Sequence, residues 1–158
     1  MRQIIRRREF VEDELCYPGE PDAPGKVRAQ PMADWIAAAN AGAASVPGAV
    51  LLAPADAVEA LADHLAPLRW IVIDFPKIGE GRGFSQARLL RQRYGYTQEL
   101  RARGALKRDQ MFFLARSGFD AFDLDPSEDP NAALAALGTF SVAYQGGDDR
   151  LVRVRHRS

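Results

Sequence analysis

Trp70-Ile71-Val72-Ile73-Asp74-Phe75-Pro76-Lys77-Ile78-Gly79-Glu80-Gly81-Arg82-Gly83-Phe84-Ser85-Gln86-Ala87-Arg88 joins an apolar run, a glycine-rich loop and a helix start in one stretch. The unbroken Trp70 to Ile73 segment has the pattern of a parallel strand covered on both faces. A carboxylate, a lysine and an arginine (Asp74, Lys77, Arg82) follow where the apolar run ends. Gly79, Gly81 and Gly83 permit backbone angles that other residues avoid. Ser85 reads as the N-cap of the next helix, Phe84 and Leu89 as its hydrophobic staple, and Gly95 as its closing C′ residue. A helix start facing such a loop aims unpaired N–H groups at it, an arrangement that favours an anion.

The same rhythm recurs on either side. Strand patterns at 49–53, 70–75, 99–103 and 121–124 alternate with helix patterns near 56–65, 86–94, 109–117 and 131–144. The first of these helices has a capping-box spacing, Asp56 with Glu59, and an apolar stripe of Val58, Leu61, Ala62 and Leu65. Strands alternating with helices predict right-handed βαβ units: an α/β fold with a mainly parallel sheet, either open or part of a barrel. Residues 3–17 suit a short N-terminal hairpin or edge strand. Residues 18–31 hold four prolines and two glycines and read as a surface connector, followed by a short helix over 32–44 in which Trp35 packs. The 158 residues therefore read as a single α/β domain: a strand region 1–17, connector and short helix 18–48, βα core 49–145 and basic tail 146–158.

Composition narrows the functional classes. No apolar run approaches the ~20 residues of a membrane span, and the basic N-terminus lacks the apolar region of a signal peptide, so a cytoplasmic protein is expected. One cysteine, Cys16, and two histidines, His64 and His156, do not assemble a Cys/His metal centre. No flavin, haem, nicotinamide or nucleotide motif is present, so no cofactor is identified; Gly79-Glu80-Gly81-Arg82-Gly83 matches neither the dinucleotide fingerprint nor the P-loop. Twenty-one basic residues balance twenty-one acidic ones, which argues against nucleic acid as a partner. The distribution is uneven, however: residues 81–116 carry nine basic side chains against two acidic ones, and residues 120–129 carry five acids and no base.

In parallel α/β folds ligands gather at the C-terminal strand ends. The sequence places Asp74, Lys77, Gly81, Arg82, Gly83 and Ser85 after one strand, Arg103, Arg108 and Asp109 after the next, and Asp123 and Asp125 after the last. Arginine forks and glycine-loop N–H groups are suited to a small oxyanion or to a sulfated or phosphorylated ligand. Lys77, Gly81, Arg82, Gly83, Ser85, Arg103 and Arg108 are the anion-binding candidates. Asp74 and Asp109 are the candidate acid–base pair. Arg88, Arg91 and Arg93 read as a solvated helix face. Phe112 and Phe113 widen the apolar face of their helix, as a buried contact with a partner or a second copy of the chain would require.

The block from Phe75-Pro76-Lys77 through Gly81-Arg82-Gly83-Phe84-Ser85-Gln86-Ala87-Arg88-Leu89-Leu90-Arg91, then Tyr96, Glu99-Leu100-Arg101-Ala102, Gly104, Asp109-Gln110 and Arg116-Ser117-Gly118-Phe119-Asp120-Ala121-Phe122, resembles a bacterial family labelled as oxidoreductases of sulfite reduction. The resemblance spans about residues 49–145. Family genes lie beside those for assimilatory sulfite reductase, which implies a role in sulfur assimilation and sulfite reductase as a partner. The family often has aspartate at the position of Glu80 and cysteine at the position of Ser117, so thiol chemistry at the latter position would be missing from this chain.

Overall fold

The computed structural model describes residues 3–42, 46–77 and 81–139. Among the described residues nine strands are formed: β1 (Gln3–Arg6), β2 (Glu9–Glu12), β3 (Leu15–Cys16), β4 (Val27–Arg28), β5 (Gln30–Pro31), β6 (Ala49–Leu52), β7 (Trp70–Phe75), β8 (Glu99–Gly104) and β9 (Ala121–Asp123). The helices are α1 (Met32–Asn40), α2 (Arg82–Arg88), α3 (Met111–Ser117) and α4 (Pro130–Thr139). Seven strands make one sheet in the order β2-β1-β9-β8-β7-β6-β5, parallel from β5 to β9, with the antiparallel hairpin β1–β2 added at one edge.

From β5 to β9 spatial order follows chain order. Successive right-handed crossovers then put every connecting helix on the same face. Side-chain alternation agrees: Ile71, Ile73 and Phe75 of β7 and Leu100 and Ala102 of β8 share a core with residues of α1 to α4. Ala49, Trp70 and Val72 face the other way and pack on Leu15, Tyr17 and Ala29. These last three come from the segment that leaves the hairpin at one edge and enters β5 at the opposite edge, so residues 13–29 lie across the helix-free face.

Several local expectations need correction. The 18–31 connector is not merely a loop: β4 pairs in parallel with β3, and β5 adds a strand to the main sheet. Pro31 is tolerated there because β5 is an edge strand. The helix expected over 56–65 is a 3-10 turn, Val58–Leu61. Asp56 does not cap it, because its carboxylate turns back to accept the Ala53 N–H at 2.8 Å. Helix α2 begins at Arg82, so Ser85 lies inside it and no staple forms around an N-cap at that position. It continues as a π-helical turn, Leu89–Arg93, and Gly95 then takes the positive φ expected of it. The helix expected over 109–117 starts at Met111, preceded by a 3-10 turn, Arg108–Gln110, in which the Gln110 side chain accepts the Lys107 N–H at 3.1 Å. The last helix is described as far as Thr139, and its expected extension to Tyr144 and the basic tail lie outside the described residues.

Candidate functional site

Strand β8 carries charge at every second position. Period-2 alternation sends Leu100 and Ala102 into the helix-side core, and Glu99, Arg101 and Arg103 to the opposite face. Pairing register then sets Arg103 between Asp74 of β7 and Asp123 of β9, a row of three charges one position short of the β7 and β8 ends.

Arg101 lies one layer deeper and is wholly buried. Its guanidinium donates to Asp13 Oδ1 at 2.7 Å, Glu99 Oε2 at 2.7 Å, Glu14 Oε1 at 3.2 Å and the Tyr17 hydroxyl at 3.3 Å. Arg6 of β1 closes the ring by donating to Glu99 and to both oxygens of Glu14 at 2.7–2.8 Å. Although burial alone would raise Glu14, its bonds from Arg6 hold it below the usual carboxylate range. Burial likewise opposes the charge on Arg101, yet the surrounding Tyr17, Glu99 and Asp13 keep its proton bound more tightly than usual. A buried cation this fully bonded fixes the strap to the sheet.

The Arg103 row is different. Arg103 Nη1 is 3.8 Å from Asp74 Oδ1, and its Nε is 3.7 Å from Asp123 Oδ2, distances of ion pairs rather than hydrogen bonds. Its guanidinium carbon stacks 3.9 Å above the Tyr17 ring. Among the described residues no acceptor hydrogen-bonds this guanidinium, and its side chain retains 27% exposure. Burial pushes the Asp74 carboxyl above its ordinary value, with Arg103 opposing that shift. The site thus holds a positioned, partly open cation with donors to spare, beside a carboxyl whose ionisation burial opposes and Arg103 favours.

The other sequence candidates scatter. Lys77, Gly81, Arg82, Ser85, Arg108 and Asp109 are exposed. Gly83 is buried instead, with Phe75 pressed against its α-carbon: a Cβ there would meet the Phe75 ring at 2.5 Å. Its lack of a side chain serves helix–sheet packing, which corrects the expectation that it exists to admit a ligand. Arg91 is no solvated residue. It donates to the carbonyls of Gly118, Tyr96 and Gln98 at 2.8–2.9 Å and lies 3.5 Å from Asp120, tying the entrances of β8 and β9 together. Ser117 is buried and donates to the Phe113 carbonyl at 2.9 Å, so this position is a packing site at the end of α3. Much of the basic excess in 81–116 is balanced by acids from outside that segment: Asp13 and Glu14 at Arg101, Asp120 at Arg91, and Glu128 at Lys107. Tyr17 and Asp13, essential to the geometry, read in sequence only as part of a hairpin region, because their partners lie 84 and 88 positions away.

A mostly parallel sheet with helices on one face and a charged row near its strand C-termini defines an α/β protein with a candidate ligand site where such folds place one. Residues 49–152 match the family described as "Bacterial protein of unknown function (DUF934)", and the chain belongs to that family. No curated protein matches it. Among the described residues no helix is long and apolar enough to cross a membrane.

Proposed function

We propose that the protein is an accessory component of assimilatory sulfite reduction in the cytoplasm, holding a small oxyanion at the C-terminal ends of its parallel strands. The observation that carries this reading is Arg103: stacked on Tyr17, partly open, and without a hydrogen-bonding acceptor among the described residues. The family resemblance supplies the sulfur context, and exposed Lys77 and Arg82 follow the end of β7 and exposed Arg108 the end of β8 in the chain, adding positive charge on the strand-end side of the sheet. Asp74 in its protonated form would donate to the same anion, leaving Arg103 as the charge-bearing contact. Asp109 remains an exposed second carboxylate for acid–base work, subordinate to Asp74 because only Asp74 adjoins the arginine.

Calorimetric titration with sulfate and with sulfite tests the reading. Binding in the millimolar range or tighter is expected, reduced about tenfold or more in Arg103→Gln and more weakly in Arg82→Ala. Asp74→Asn should bind sulfate at least as tightly as the parent chain. No heat at millimolar anion, or equal affinity in Arg103→Gln, would remove the proposal.

A second reading is favoured by Phe113, which stands 60% exposed on α3 with Phe112 and Arg116 beside it. Such a residue anchors protein interfaces, and sulfite reductase is the partner that the family context names. Co-purification lost in Phe113→Asp with unchanged circular dichroism would support docking; an unaffected complex would not.

A further inference from the structure

The hairpin β1–β2 turns through only two residues, Arg7 and Arg8, with Arg6 paired to Glu9. Both turn residues have positive φ, 51° and 70°. A turn of that backbone ordinarily takes Asn-Gly, because a left-handed residue with a side chain costs roughly 1–2 kcal/mol. Two consecutive arginines are therefore a poor choice for the turn itself. Both arginines line a half-open cavity of about 370 Å³ bordered by the hairpin, α3 and α4, with Phe112, Phe119, Phe122 and Leu137 among its walls. That volume lies within the range of small-molecule pockets.

The charges at the mouth do not cancel. Asp120 also lines the cavity, but its carboxylate already accepts the Leu100 N–H at 2.8 Å and lies 3.5 Å from Arg91. Arg7 approaches Asp120 only at 3.9 Å with its side chain 76% exposed, and Arg8 has no ion pair among the described residues. We propose that this cavity binds a small organic anion, its apolar body against Phe112, Phe119 and Leu137 and its carboxylate, sulfonate or phosphate held by Arg7 and Arg8. The site is independent of Arg103, since the cavity is walled by the helix-side core and Arg103 lies on the other face of the sheet.

Fluorescence titration of the full chain with 8-anilinonaphthalene-1-sulfonate and with the uncharged N-phenyl-1-naphthylamine tests it. The sulfonate should bind about tenfold tighter than the neutral dye, because a charge-assisted contact is worth that much. The double variant Arg7→Asn/Arg8→Gly installs the preferred turn residues, so its melting temperature should hold or rise while the sulfonate loses that advantage and the neutral dye binds unchanged. Filling the cavity with Ala115→Trp should abolish both, and Ala115→Leu serves if the larger side chain prevents folding. Sulfonate affinity unchanged in the double variant, or both dyes bound normally by a folded cavity-filled variant, would overturn the proposal.

Discussion

Arg101 and Arg103 lie two positions apart on one strand and have opposite fates, and the difference is in what surrounds them. Arg101 is saturated by acceptors; Arg101→Ala removes the buried cation that Asp13 bonds at 2.7 Å and leaves Glu99 with Arg6 alone, and should cost about 3–5 kcal/mol in urea unfolding. Asp74 gives a pH signature. Its folded-state pKa is raised by burial, so its stabilising contribution is present below the unfolded value near ~3.9 and is lost as pH rises through the folded value. Asp74→Asn, neutral at every pH, should therefore match the parent chain in acid and melt at higher temperature near pH 7; a lower melting temperature at pH 7 would contradict the assignment. The strand over 99–103 and the strand-end positions of Asp74 and Arg103 were legible in sequence. Asp13, Glu14 and Tyr17, which decide which arginine stays open, were not, because they fall in the N-terminal strand region and meet Arg101 only across 84 to 88 positions of chain.

Helix α2 shows how an element border is misread. Ser85 has the chemistry of an N-cap, yet the helix already runs from Arg82, and its second residue, Gly83, packs against Phe75 of β7 where no side chain fits. Gly83→Ala should destabilise the fold by about 1–3 kcal/mol through overpacking against Phe75 and Ile73. Gly81→Ala should be neutral or stabilising by up to about 1 kcal/mol, since φ there is −98° and nothing lies within 4 Å of the added carbon. Paired denaturation curves for the two variants separate the roles; equal losses would show that the loop, not the helix contact, needs glycine. The 3-10 turn at Val58–Leu61 is a similar case, where an acidic residue that should cap a helix bonds backward instead.

At the scale of the whole molecule the parallel α/β architecture and the N-terminal hairpin were readable from the strand–helix rhythm, whereas the coverage of the sheet's second face was not. Continuous apolar runs announce burial on both faces without saying what does the covering, and here the cover comes from residues 13–29. One pairing sets a schedule on synthesis. Ile5 faces Phe122 and Arg6 faces Ala121 across the sheet, so β1 waits for a partner made about 115 positions later. At ribosomal rates that delay is on the order of 6–25 s, during which β1 has an unpaired edge and residues 13–29 lie over an incomplete sheet. Stalled nascent chains ending before Ala121 should be cut by protease within residues 18–26, and chains whose β9 has cleared the exit tunnel should resist. Equal protection at both lengths would mean that the N-terminal segment settles without β9; otherwise the cell holds a chain whose beginning is finished only by a strand made about 115 positions later.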